Sequence, residues 1–118
     1  MLRTYFYKKM LDLYLCYRGA QYSAADAYDN DNTELEKEYN DSAREIMLQI
    51  RTIKAVAIDL IGKKAAVDLK WEARTDAQTL YENKVYWMPT DTAEIIEYMK
   101  RYADNANVTE ILSKAIAE

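Results

Sequence analysis

Two pairs of carboxylate side chains stand three residues apart, which is the spacing of helical metal sites. They are Glu38 with Asp41 and Glu94 with Glu97. Residues three apart share one face of a helix, so each pair can offer its oxygens to a divalent cation such as magnesium. The chain has no histidine and a single cysteine. This excludes Ser-His-Asp hydrolysis and leaves zinc without its usual ligands.

The carboxylate pairs resemble the E-x-x-E and E-x-x-D motifs of helical nucleotide pyrophosphatases, which hold magnesium on a nucleotide phosphate. The order is reversed here, because Glu38 and Asp41 precede Glu94 and Glu97. The resemblance implies a metal-dependent nucleotide pyrophosphohydrolase as one alternative function. On a helix whose core face carries Tyr39, however, Asp41 points away from the core. We therefore predict no catalytic residue, no metal ligand and no cofactor.

The acidic residues favour a docking surface instead. Glu34, Glu38, Asp41 and Glu45 recur at four- and three-residue steps, which places them on one outward face of a helix. Like charges at fixed spacing can complement a basic surface on another protein. We predict that these four residues bind such a partner, for example as an inhibitor, of the kind phages encode, that covers a nucleic-acid-binding surface. A net charge of −4 argues against direct binding of nucleic acid.

Two series of apolar residues predict two long helices, over about 2–28 and 33–61. The short polar link at 29–32 predicts that they form an antiparallel hairpin. Thr33 with Glu36 has the spacing of a capping box, and Gly62 suits a helix end. Gly19, inside the first helix, indicates either close approach of another helix or a kink. The two series are Phe6, Met10, Leu13, Tyr17, Ala20, Ala24 and Ala27, then Tyr39, Ala43, Ile46, Ile50, Ile53, Ala57 and Leu60.

The stretch before Pro89 permits two structures. Apolar positions from Ala66 to Leu80 fit a helix, whereas the alternation from Val67 to Arg74 fits a strand. Composition favours a third helix that Pro89 closes, and the alternative is an α+β fold with a small hairpin at 65–73/84–88. Capping spacings at Asp91 and Asn107 predict two short C-terminal helices. We therefore predict one all-α domain over 1–118, built from the long antiparallel hairpin, a third helix and two short C-terminal helices.

A second apolar stripe, made of Tyr7, Leu11 and Tyr14, widens the face of the first helix. So wide an arc is typical of a helix that is central in its bundle or buried against another subunit. We predict that these three residues form a self-association face and that the protein is a homo-oligomer. Trp71 and Trp87 are predicted to anchor the core or an interface. An oligomer that binds or sequesters a small aromatic or nucleotide ligand is the second alternative function.

Composition limits the remaining possibilities. Half of the residues are apolar, and two glycines and one proline are too few for the turns of a β-sandwich. The single cysteine, Cys16, cannot form an internal disulfide, which favours a reducing compartment, the cytoplasm. No stretch is long and apolar enough to cross a membrane. The sequence as a whole favours a non-catalytic protein-protein interaction module.

Overall fold

Five α-helices contain most of residues 2–116, the part of the chain that the computed structural model describes. They are α1 (Leu2–Asp29), α2 (Thr33–Ile61), α3 (Lys63–Glu82), α4 (Thr92–Arg101) and α5 (Ala106–Lys114). Residues 2–116 contain no β-strand, so the all-α prediction is confirmed. The alternative hairpin is wrong, because 65–73 lies inside α3 and 84–88 lies in an irregular segment. No helix within this part of the chain is long and apolar enough to cross a membrane.

The two long helices form the predicted hairpin, and their bounds agree with the prediction to within one residue. Lys9 on α1 and Thr52 on α2 line one groove, while Tyr17 and Asn40 line another, as an antiparallel pair requires. The longest dimension of the molecule, 46 Å, is close to the length of such a helix, roughly 43 Å at about 1.5 Å per residue. The hairpin therefore sets the length of the fold.

The helix ends follow the sequence signals with small shifts. Asn32, not Thr33, caps α2, because its side-chain oxygen accepts a hydrogen bond from the Leu35 N–H at 3.1 Å. Asp91 caps α4 as predicted, whereas Asn105 rather than Asn107 caps α5. Asn105 also donates to the Asn83 side chain at 2.8 Å, and this bond ties the start of α5 to the end of α3. The predicted run of the last helix to the chain end includes residues 117 and 118, which lie outside the described part.

Gly62 joins α2 to α3 without an intervening loop. Its φ of 92° and ψ of 156° are accessible to glycine and strained for other residues. The prediction that α2 ends at Gly62 is confirmed. Lys63 and Lys64 begin α3.

One hydrophobic cluster contains side chains from all five helices. The predicted face of α3 is buried completely, with Ala66, Leu69, Ala73, Ala77 and Leu80 all in the core. The helix ends at Glu82, earlier than Pro89, and the irregular segment that follows turns Val85 and Met88 into the same cluster. Lys8 Nζ donates to the Thr90 carbonyl oxygen and fastens this segment to α1.

The apolar series of α2 does not stay on the buried face along the whole helix. Ala43, Ile50 and Ala57 are buried, Ile46 and Ile53 are half-buried, and Leu60 is 56 % exposed. A seven-residue repeat drifts by about 20° per heptad around a straight α-helix. The series from Tyr39 to Leu60 is three heptads long, so its last member has rotated out of the contact, and the prediction for Leu60 is wrong.

The close approach of another helix that was predicted at Gly19 is not found. Within the described chain, no atom other than its chain neighbours and its own helix backbone lies within 4 Å of the point where a Cβ would stand. Residues 2–29 also form one uninterrupted helix. Close approach of another helix therefore does not require this glycine.

Replacing Gly19 with alanine is expected to raise the free energy of unfolding by about 0.5–1 kcal/mol. Alanine loses less backbone entropy than glycine in a helix interior, and the new methyl group meets open space. Urea denaturation followed by circular dichroism measures the change. Gly62→Ala is the matched control and should lower stability, because its φ of 92° is strained for alanine. Destabilisation by Gly19→Ala would contradict the open environment.

Candidate functional site

The outer stripe of α2 is a line of exposed side chains that extends the predicted acidic face. The structure places the four predicted carboxylates, Glu34, Glu38, Asp41 and Glu45, in exposed positions. The same four- and three-residue steps continue along the helix. We define the outer stripe as Glu34, Glu38, Asp41, Glu45, Leu48, Thr52 and Val56.

The second half of the outer stripe is mainly apolar, and it was not predicted from the sequence. Leu48 is 58 % exposed and Val56 is 43 % exposed. Scattered exposed apolar residues are ordinary, but these two share a helix face with the acidic residues. Continuing the acidic spacing past Glu45 would have found them. The stripe therefore combines carboxylates at one end with apolar side chains at the other.

The acidic end of the stripe belongs to an exposed hairpin tip. The end of α3 contacts α1 before the hairpin tip is reached. There, Tyr81 of α3 stacks on Tyr22 of α1 with ring centroids 4.8 Å apart. Residues 28–42, around the turn of the hairpin, contain no buried side chain. Asp41 pairs with Arg44 at 3.5 Å, but both side chains are well exposed, so this ion pair contributes little. The carboxylates of the tip are therefore accessible to a partner.

An open groove runs along the apolar half of the stripe. It has a volume of about 520 Å³, and Glu45, Leu48 and Thr52 of the outer stripe form part of its wall. Burial raises the pKa of Asp12, which also lines the groove, while the nearby Lys9 opposes that shift. Because residues of the outer stripe form part of the groove wall, a partner segment that contacts the stripe can extend into the groove. The other lining residues are Leu13, Gln49 and Ile53.

The predicted self-association face lies inside the fold. Tyr7, Leu11 and Tyr14 are 3 %, 0 % and 4 % exposed, and all three belong to the main hydrophobic cluster. Of the two explanations for the wide apolar arc of α1, the central position in its own bundle is therefore correct. The prediction that these residues contact a second copy is wrong, because they are already buried against the other helices of the same chain.

An ionic network at the edge of this cluster ties α5 to α1 and α3. The Tyr7 hydroxyl donates to Asp76 Oδ2 at 2.5 Å, and Lys114 Nζ donates to the same oxygen at 3.0 Å. Lys114 also pairs with Glu72 at 3.1 Å. Burial lowers the pKa of Lys114, but the hydrogen bonds with Asp76 and Glu72 outweigh it and raise the pKa. The network has a structural role, since each charged group in it is already paired.

The two carboxylate pairs that resemble a metal site are not brought together. Glu38 and Asp41 are exposed on α2, and Glu97 on α4 pairs with Lys100 at 3.2 Å. Among residues 2–116 there is no group of three or more acidic or cysteine side chains placed to hold a metal ion. The geometry therefore gives these pairs no shared ligand site.

Trp71 and Trp87 do not anchor the core as predicted. They are 53 % and 55 % exposed. Trp71 lies off the α3 face that carries Leu69 and Ala73, and Trp87 lies in the irregular segment after α3. An interface role for the two side chains stays a prediction.

The outer stripe and its groove can bind a partner by two kinds of contact. The carboxylates can pair with cations, and Leu48 and Val56 can be buried against an apolar surface. No protein-family model matches the chain, and neither a curated protein nor a solved structure matches it.

Proposed function

We propose that the protein is a non-catalytic interaction module that docks on a partner protein through the outer stripe of α2. The observation that supports this most directly is the exposed, continuous stripe itself, acidic from Glu34 to Glu45 and apolar at Leu48 and Val56. A rigid helix holds all seven side chains at fixed spacing. Little conformational entropy of the backbone is then lost on binding.

The stripe defines the chemistry of the partner surface. Basic side chains would face the carboxylates of the hairpin tip, and a shallow apolar depression would receive Leu48 and Val56. The carboxylates would speed association, whereas the apolar contacts would slow dissociation. A surface that normally binds nucleic-acid phosphates has this basic character. The proposed activity is therefore inhibition of a nucleic-acid-binding protein by occupation of its basic surface.

Site-specific photocrosslinking can test the docking face. A photoreactive phenylalanine analogue replaces Leu48 in one protein and Ile96 in a control protein. Ile96 lies on α4 and is 41 % exposed, compared with 58 % for Leu48, so both side chains are accessible to a partner. In a lysate of the cells that produce the protein, we expect a discrete crosslinked partner from position 48 and not from position 96. The crosslinked partner is then purified for direct binding measurements.

Charge reversal tests the chemistry of the docking face. Glu38→Lys/Asp41→Lys/Glu45→Lys should slow association with the purified partner by at least about tenfold at low salt. Glu94→Lys/Asp104→Lys/Glu110→Lys makes the same change in net charge at exposed positions on the C-terminal part and should have a much smaller effect. A duplex oligonucleotide that binds the partner should compete with the protein. Equal effects of the two triple variants would contradict docking through the stripe.

A further inference from the structure

A second surface, the basic cleft, lies between α1 and α3 and shares no lining residue with the groove beside the outer stripe. It is a small depression of about 140 Å³. Three cationic side chains, Arg18, Lys70 and Arg74, line it. The other lining residues are Tyr14, Tyr17, Gln21 and Met47.

The cations of the basic cleft have no acidic partners. Throughout residues 2–116, ion pairs join Arg3, Arg44, Lys64, Lys100 and Lys114 to carboxylates, and none involves Arg18, Lys70 or Arg74. Arg51 and Lys54 of α2 add to the same positive region, since both act electrostatically on Lys70. Burial, followed by these positive neighbours and Arg74, lowers the pKa of Lys70. An anion bound here would relieve that repulsion.

Aromatic side chains accompany these cations. Trp71 is exposed at the edge of the cleft, with Arg74 at 5.1 Å and Lys70 at 5.8 Å from its ring centre. Gln21 accepts a hydrogen bond from Arg18 at 3.3 Å and donates to the Tyr17 hydroxyl at 3.0 Å. The cleft therefore combines oriented cations with an accessible aromatic surface.

We infer that the basic cleft binds single-stranded nucleic acid, with Arg18, Lys70 and Arg74 on backbone phosphates and Trp71 stacked on a base. Base stacking on exposed aromatics beside a cationic track is the general mode by which proteins hold single strands. Arg51 and Lys54 extend the positive region beyond the small cleft, which suits a continuing backbone better than one free nucleotide. A duplex keeps its bases stacked inside and gains nothing from Trp71. The inference departs from the expectation based on net charge, because local charge governs phosphate binding.

Fluorescence anisotropy with a labelled oligothymidine of about twelve nucleotides tests this inference. Lys70→Glu/Arg74→Glu should weaken binding at least about tenfold, and Trp71→Ala at least about fivefold. Lys37→Glu/Lys100→Glu makes the same charge change at exposed sites elsewhere and should stay within about twofold of the wild type. With three phosphate contacts, the logarithm of the association constant should fall with the logarithm of salt concentration at a slope of about −2.

Two further measurements keep the result decisive. Circular dichroism checks that each variant is folded, and Lys70→Gln/Arg74→Gln replaces the double reversal if that variant is not. In a Trp87→Phe background, saturating oligothymidine should quench the fluorescence of Trp71. Absence of quenching, equal loss in the two charge variants, or equally tight binding of a duplex or of polyglutamate would overturn the inference. None of these results depends on the outer stripe, so the docking proposal stands or falls separately.

Discussion

Replacing Leu11 with alanine is expected to lower the free energy of unfolding by about 2–5 kcal/mol. The Leu11 side chain is fully buried on α1, between Tyr7 and Tyr14 in the main hydrophobic cluster. Removing it takes away the transfer free energy of the buried methyl and methylene groups and leaves a cavity that the surrounding helices fill only in part. Urea denaturation of both proteins, followed by circular dichroism, measures the difference.

The control for Leu11 is Leu48, a leucine on the exposed stripe of α2. Leu48→Ala should change the free energy of unfolding by no more than about 0.5 kcal/mol, since its side chain is 58 % exposed in the folded chain. The loss in Leu11→Ala should also be the same at all protein concentrations. If Leu11 lay between two copies that dissociate into folded monomers, the loss would shrink on dilution, because the interface that Leu11 stabilises is then no longer populated. A concentration-dependent effect would therefore restore the self-association face that the fold excludes.

At alkaline pH, the wild-type protein is expected to lose about 2–3 kcal/mol more stability than Tyr7→Phe between pH 9 and pH 12. Burial, reinforced by the hydrogen bond to Asp76, raises the pKa of Tyr7 far above its ordinary value of 10.0. Above pH 10 the unfolded chain therefore loses this proton while the folded chain keeps it. The folded state then binds more protons than the unfolded state, so stability falls by about 1.4 kcal/mol per pH unit.

Tyr7→Phe removes the titrating group and keeps the ring. At pH 7 the variant should be less stable by about 1–3 kcal/mol, because Asp76 loses one of its two donors. The gap should narrow as the pH rises past 10. Tyr14, Tyr81 and Tyr98 also have a raised pKa, but neither Tyr7 nor Asp76 contributes to it, so these groups act in both proteins and cancel in the comparison. Parallel stability curves for the two proteins, from urea titrations at each pH, would contradict the role of Tyr7.

Local spacing predicted the helices well because a helix is a local structure. The bounds of α1 and α2, the end at Gly62 and the buried face of α3 all follow from residues within one or two turns of each other. Cap positions were less secure, since asparagines at 32 and 105 compete with the neighbouring threonine and asparagine for the same backbone donors. The strand-like alternation around Trp71 was misleading, because it arose from the polar face of α3.

The exposure of a helix face depended on its neighbours, which lie far away in the chain. From its spacing alone, the stripe of Tyr7, Leu11 and Tyr14 fits either a core or an interface, and the contacts of Tyr7 and Lys114 with Asp76 place its edge inside the fold. Leu60 lies outside the buried face of α2 because the rotation of the seven-residue repeat accumulates over three heptads. The basic cleft also could not be predicted, since its lining residues Arg18, Met47 and Lys70 belong to three different helices.

The sequence by itself determined the all-α class, the long hairpin and the exposed carboxylates from Glu34 to Glu45. Each depends on periodicity within single helices or on the short polar link between two of them, and both are properties of neighbouring residues. Tertiary structure alone decided which apolar stripe became core and which cations were left without partners. Those outcomes depend on contacts between side chains that are distant in the chain, and packing sets them collectively.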